Sequence, residues 1–246
     1  MPQQAKAPRK KSSSSAKARA SSNKNALGFA AIPDVQPLTE NQRQAILAWA
    51  EGNHLVLHGV AGTGKTYLSL AMALREVIEL GNYRGIVIVR SAVPTRDVGF
   101  MPGTLAEKLA VYEQPYRDIT NEVIGRGDAY DILKQKGIVD FMSTSFIRGL
   151  TLDRRIVIVD EMQNCNWGEL TSIITRIGRD AKIVFSGDYR QSDFTKKAER
   201  EGLMKFLGVL RKLKGVEFIE FKEEDIVRSA FVKQFLIEMY NQGLDL

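Results

Sequence analysis

The chain has 246 residues, 44% of them hydrophobic and 26% charged, the composition of a water-soluble globular protein long enough to bury a substantial core. Its apolar runs, such as 156–159 and 183–185, are far too short to cross a bilayer. The single cysteine, Cys165, cannot form an internal disulfide, and His54 and His58 sit without a cysteine cluster. These features argue against a secreted, membrane-spanning or zinc-built protein and favour the cytoplasm.

The formal charge of +6 is unevenly placed: seven basic and no acidic residues precede Asp34, leaving 28 basic against 29 acidic residues from there on. Residues 1–33 are rich in Ser, Ala and Lys, too poor in large apolar side chains to offset their ordering entropy, and are expected to form a disordered tail. Such a cationic arm suits nucleic acid through counterion release; the other reading is a solubilising leader. The remainder, 34–246, is expected to be one domain.

After the tail, helices alternate with short apolar strands. Thr39-Glu40-Asn41-Gln42 opens a helix running to about Glu51, with Ala45, Ile46 and Trp49 on one face. Residues 55–58 form a strand, followed by a glycine turn and a helix over about 65–80. A buried strand spans 86–90. Loops and helices fill 91–137, including a helix over 112–124, and 138–141 forms a short strand. Further strands are expected at 155–160, 182–186 and 216–221, with helices near 167–177, 198–212 and 225–240. This alternation implies a parallel sheet covered on both faces, with ligands at the carboxyl ends of its strands.

Gly59-Val60-Ala61-Gly62-Thr63-Gly64-Lys65-Thr66 fits the pattern G-x-x-x-x-G-K-[ST] in full. Its glycines let backbone N–H groups turn inward around phosphates, and the following helix aims its N-terminal dipole at them. Lys65 is expected to reach the β- and γ-phosphates, and the Thr66 hydroxyl to ligate Mg²⁺. The motif follows an apolar strand and opens a helix, so ATP is the expected ligand.

Residues 156–159, all apolar, end in Asp160-Glu161. A buried strand tolerates an acid at its carboxyl end where it is solvated, paired or metal-bound. Asp160 is placed to hold Mg²⁺, and Glu161 to orient or deprotonate the attacking water.

Together these motifs resemble the additional-strand P-loop ATPases, which include RecA-like proteins and helicases. Asp160-Glu161-Met162-Gln163 resembles the D-E-x-Q box of superfamily-one helicases, and Gly187-Asp188-Tyr189-Arg190-Gln191 their G-D-x-x-Q segment. The narrower resemblance, over about 38–240, is to the PhoH-like, phosphate-starvation-inducible ATPases, and is carried also by Gly99-Phe100-Met101-Pro102-Gly103, Ile147-Arg148-Gly149 and Thr175-Arg176-Ile177-Gly178. It implies an α/β fold, a RecA-like core hydrolysing ATP with Mg²⁺, and work on RNA or DNA. Carried over by position, Gln163 and Gln191 would link the γ-phosphate to movement, Tyr67 would join the nucleotide contacts, and Gln42 would read adenine. Thr39-x-x-Gln42 is equally a helix-capping pair. Met162 stands where many relatives carry alanine; the basic tail and the lack of a fused RNase-like domain also depart from the family pattern.

One phosphate loop leaves room for one core, where monomeric helicases use two. A neighbouring subunit would then supply an arginine finger, in a head-to-tail ring, by resemblance a hexamer. Arg228, in Glu224-Asp225-Ile226-Val227-Arg228 near the start of the last helix, is the first candidate; its alternative is a salt bridge to Glu224. Arg176 and Arg190 are weaker ones. Arg90, Arg96 and Arg148 follow strands where helicase analogues touch nucleic-acid backbone, although each is also an ordinary loop residue. The expected function is therefore an oligomeric ATPase acting on single-stranded nucleic acid, RNA first, as a helicase or remodeller. The alternatives are a nucleotide-controlled binding or assembly module with slow turnover, or a small-molecule kinase.

Overall fold

The computed structural model describes residues 27–91, 105–188 and 197–242. Six strands, β1 (His54–Gly59), β2 (Gly85–Arg90), β3 (Val139–Ser143), β4 (Arg155–Asp160), β5 (Lys182–Gly187) and β6 (Val216–Phe221), form one parallel sheet in the order β3-β2-β4-β5-β1-β6. The described helices are α1 (Glu40–Ala50), α2 (Lys65–Leu74), α3 (Leu105–Ile124), α4 (Ala129–Gln135), α5 (Trp167–Ile174), α6 (Lys197–Leu210) and α7 (Ala230–Asn241). After α2 the backbone widens by one residue over Arg75–Glu79, and the Leu80 N–H reaches back five residues to the Arg75 carbonyl.

Strand periodicity divides the core. Ile156 and Ile158 of β4 face a cluster completed by α1 to α4, including Trp49, Leu70, Tyr116 and Tyr130. Val157 and Val159 face the other side, where Leu170 and Ile173 of α5 meet Leu203, Phe206 and Leu207 of α6. Side chains alternating on a strand buried on both faces must be apolar throughout, hence the unbroken Ile-Val-Ile-Val run. All six strands run the same way, so their carboxyl ends, and the loops that follow, gather on one edge of the sheet. β5 separates the strand of the phosphate loop, β1, from the strand of Asp160, β4. This is the extra strand that the resemblance implied.

Three boundaries differ from the sequence reading. The stretch read as tail ends early: Leu27, Phe29 and Ile32 are buried in the main core, and the Ile32 N–H donates to Glu79 Oε1 at 2.7 Å. Three apolar side chains spaced over six residues suffice to anchor the chain, so the folded unit begins by Leu27; residues 1–26 lie outside the described ones. The helix expected from 112 already runs at Leu105 and accommodates Pro115 in its interior. The last helix, expected from 225, starts at Ala230: Glu223–Asp225 form a separate tight turn, pinned by the Asp225 carboxylate, which accepts from the Lys222 N–H and from Asn41.

At the amino-terminal edge of the sheet Lys182 is buried, its Nζ donating to the Trp49 carbonyl at 2.6 Å and lying 3.7 Å from the centre of the Trp49 ring. Burial pushes its ammonium down to about 8, against the opposing pull of Glu76. Between that value and the ordinary lysine range the unfolded chain binds more protons than the folded one, so stability must rise with pH. Between pH 8 and 10 the wild type is expected to gain about 1–2 kcal/mol over Lys182→Met in denaturant unfolding; parallel pH profiles would show that Lys182 bears no such penalty.

Candidate nucleotide and metal site

The phosphate loop begins where β1 meets β6. The Val60 N–H donates to the Phe221 carbonyl at 3.1 Å, and a Cβ on Gly59 (φ +121°) would stand 1.9 Å from that carbonyl oxygen, so only glycine fits. Gly64, with φ +78°, turns the chain into α2 and offers no side chain to cap it. The first-turn N–H groups of α2 therefore have no capping side chain, the arrangement that binds anions. Lys65 Nζ donates to the carbonyls of Gly59 at 2.8 Å and Val60 at 2.7 Å, which sets its charge over the loop.

The loop is braced from outside. Tyr240 of α7 accepts the Ala61 N–H at 3.1 Å, and the Val227 N–H donates to the Gly62 carbonyl at 3.0 Å. A Cβ on Gly62 would meet both Arg228 Cγ and Leu236 Cδ1 at 3.2 Å. Arg228 thus lies in the segment before α7, not within the helix, and its stem crosses the phosphate loop of its own chain. Its Glu224 salt bridge is not among the described ion pairs. Gln42 is buried: its amide accepts from the Leu38 N–H at 2.8 Å and donates to the Thr63 carbonyl at 3.0 Å. The cap of α1 is the Thr39 hydroxyl, accepting from the Gln42 N–H at 3.3 Å, so the Gln42 side chain ties α1 to the loop instead of closing a capping box.

Across the sheet, β4 delivers the two acids. Thr66 Oγ1 donates to the Asp160 carboxylate, 3.1 Å from Oδ1 and 3.2 Å from Oδ2. Glu161 takes a left-handed backbone (φ 51°, ψ 46°), which turns the chain sharply off the strand. Burial, followed by the neighbouring Asp160 charge, raises its carboxyl above the usual range, opposed by Gln163, Arg90 and Lys65. Gln163 Nε2 donates to Glu161 Oε2 at 2.5 Å, and its Oε1 accepts from the Asp188 N–H at 3.1 Å. A Cβ on Gly187 would meet that Gln163 oxygen at 2.2 Å, so the glycine that ends β5 makes room for this bridge.

Arg90, expected among nucleic-acid contacts, turns toward the acids. It pairs in register with Asp160 across β2 and β4, and its guanidinium lies 5.1 Å from the centre of the Tyr112 ring. Burial opposes its charge, but Tyr116, Glu161 and Asp160 outweigh it and hold the guanidinium above its ordinary pKa. Arg148 is exposed in the loop after β3, beside exposed Phe146. Tyr67 is also exposed and leans toward Glu122, whose charge adds to partial burial in raising its hydroxyl pKa. Gln191 and Arg96 lie outside the described residues. The sequence reading missed Tyr116, which donates to Asp160 Oδ2, and Glu169, which draws Ser91 and Thr144 together at the ends of β2 and β3. Each contact spans 25 to 78 positions, and no local pattern signals it.

No cluster of three or more metal-ligating side chains occurs among the described residues. Thr66 and Asp160 supply one hydroxyl and one carboxylate. That oxygen-only set fits Mg²⁺, which keeps most of its waters and takes few protein ligands beside phosphates.

Residues 34–241 match the PhoH-like protein family. The chain belongs to it. The PhoH-like protein of Bacillus subtilis (strain 168) is 33% identical over 220 residues, covering 89% of this chain and 66% of that one. Protein PhoH of Escherichia coli (strain K12) is 32% identical over 179 residues, 72% of this chain and 50% of that one. The chain therefore spans between half and two thirds of these relatives. Among solved structures, the large terminase of a thermophilic bacteriophage shares the fold, with a TM-score of 0.54 and 14% identity over 83% of this chain and 51% of that one; its complex with ADP gives 0.52. The PhoH-like chain is thus an α/β protein with a RecA-like P-loop NTPase core. No described helix is long and apolar enough to cross a membrane.

Glu161 combines a left-handed backbone with a carboxylate pressed against Asp160, and both features cost stability. Glu161→Gly is expected to raise the unfolding midpoint by a few degrees, about 1 kcal/mol, while β-branched Glu161→Val lowers it. A thermal melt in which both variants fall below the wild type would show that this turn is unstrained.

Proposed function

We propose that this chain hydrolyses ATP with Mg²⁺ and couples the cycle to single-stranded nucleic acid, RNA before DNA. The observation that carries the proposal is the Glu161 carboxylate. It stands beside Asp160 at the end of a buried strand, held by Gln163, with a raised pKa. A carboxylate made more basic and held in one orientation suits a base that positions water and takes its proton. A kinase would instead need to exclude water and admit a second acceptor, and Glu161 beside the metal carboxylate favours water.

The other residues then take defined roles. The uncapped N–H groups of α2 and Lys65 hold the β- and γ-phosphates. Thr66 and Asp160 hold Mg²⁺, which when bound offsets phosphate charge. Gln42, packed against Gly64, is the candidate adenine contact. Gln163 joins Glu161 to the Asp188 backbone and so links the water site to the end of β5; Gln191 is the candidate that follows in sequence. Exposed Phe146 and Arg148, on the strand-end edge, pair an aromatic face with a cation, a combination suited to unpaired bases.

Turnover should rise with single-stranded RNA and fall at least about 100-fold in Glu161→Gln, while ADP affinity stays within about threefold. Turnover that persists in Glu161→Gln would remove the base assignment. Indifference to RNA and DNA would remove the coupling and leave a nucleotide-controlled assembly module.

The Arg228 stem packs on Gly62 of its own phosphate loop, which supports a role at its own chain's nucleotide over the neighbour's site. Arg228→Ala should lower turnover about 10³-fold with ADP binding retained. Mixing Arg228→Ala with Glu161→Gln subunits is then expected to restore nothing. Activity recovered on mixing would place the arginine in the neighbour's site and establish the head-to-tail, hexamer-type arrangement.

A further inference from the structure

Tyr116 is the one buried hydroxyl outside the phosphate loop that touches the candidate metal carboxylate among the described residues. Its ring is 1% exposed and its hydroxyl donates to Asp160 Oδ2 at 2.7 Å. It projects from α3, 44 residues before its partner in sequence. The neighbouring turn of α3 carries Tyr112, whose ring lies against the Arg90 guanidinium. The Arg90 charge is also felt at Tyr116. The helix thus lays two tyrosines, four residues apart, across the ends of β2 and β4.

Tyr116 gives its one hydroxyl proton to Oδ2, with the Arg90 charge close by. Thr66 has one hydroxyl proton, which faces Oδ1 at 3.1 Å and Oδ2 at 3.2 Å. We propose that Tyr116 is a positioning residue for the metal site: it holds Asp160 by Oδ2 and so fixes the carboxylate beside Thr66, the two groups that would hold the cation. The hydroxyl also keeps Arg90 from taking the carboxylate as an ion pair. Without it, Arg90 would compete with the cation for Asp160. A buried carboxylate oxygen that loses its donor is expensive to leave unpaired, so Asp160 would turn toward the guanidinium.

This inference rests on the reading of Asp160 as the Mg²⁺-holding carboxylate, and the test separates the two. ADP affinity is measured by calorimetry in EDTA and across a Mg²⁺ titration, for the wild type, Asp160→Asn, Tyr116→Phe and Tyr130→Phe. Tyr130 donates its buried hydroxyl to Glu113 at 2.7 Å, so Tyr130→Phe loses a matched tyrosine–carboxylate bond that does not involve Asp160.

In Tyr116→Phe the Mg²⁺ concentration for half-maximal enhancement of ADP binding is expected to rise about five- to tenfold. Affinity in EDTA stays at the wild-type value, and Tyr130→Phe moves neither quantity. An unchanged Mg²⁺ midpoint in Tyr116→Phe, with Asp160→Asn strongly affected, would overturn the role of Tyr116 and leave the metal assignment standing. An unchanged midpoint in Asp160→Asn would overturn the metal assignment and the proposal with it. Loss of ADP affinity in EDTA in Tyr116→Phe, or an equal shift in Tyr130→Phe, would reduce Tyr116 to a packing residue and also overturn the proposal.

Discussion

Two adjacent carboxylates at the tip of a strand covered on both faces are an electrostatic problem, and much of the fold is arranged around its solution. Asp160 and Glu161 repel each other, and burial raises the cost of their charge. Donors come from every neighbouring element: Thr66 from α2, Tyr116 from α3, Gln163 from the turn after β4, and the Arg90 and Lys65 charges from β2 and the phosphate loop. None of these groups would be positioned if the sheet were not parallel. Only then do the ends of β1, β2, β4 and β5 meet on one edge. Arg90 faces inward with its guanidinium kept charged, because the neighbouring Tyr116, Glu161 and Asp160 offset the cost of its burial.

The extra strand, β5, gives this arrangement its span. It sets β1 and β4 two strands apart and leaves a gap over its own carboxyl end, which Gly187 keeps open. Gln163 lies across that gap, with its amide nitrogen on Glu161 and its oxygen on the Asp188 N–H. Glu161 and the Asp188 backbone are therefore joined through one side chain.

Local chemistry was legible in the sequence, and long-range contacts were not. The phosphate loop announces itself because eight consecutive residues must share one backbone path. The strands Arg155–Asp160 and Val216–Phe221 were read at the bounds that the structure shows: an unbroken apolar run marks the first, and β-branched and aromatic residues between glycine and lysine mark the second. Gln42 reads as a cap by spacing alone, yet its amide is spent on Leu38 and Thr63; the loop it grips is 21 positions away. Leu27, Phe29 and Ile32 vanish into a basic, serine-rich context that masks three apolar anchors. Tyr116 reads as a helix residue following an awkward proline, and only the tertiary fold brings its hydroxyl to Asp160.

The strained residue in the site is also the one assigned the chemistry, and the coincidence has a physical basis. A strand that continued straight would carry the residue after Asp160 to the opposite face of the sheet, since side chains alternate along a strand. Turning the backbone into the left-handed region at Glu161 keeps the second carboxylate on the same edge as the first, within reach of Gln163. Glycine would make that turn at less cost but would bring no carboxylate, while aspartate would bring a shorter one. The fold therefore accepts an unfavourable backbone and a desolvated charge at a single residue. The tightly packed β4 and the Gln163 bridge hold that residue in place, as strain persists only where its surroundings over-determine it.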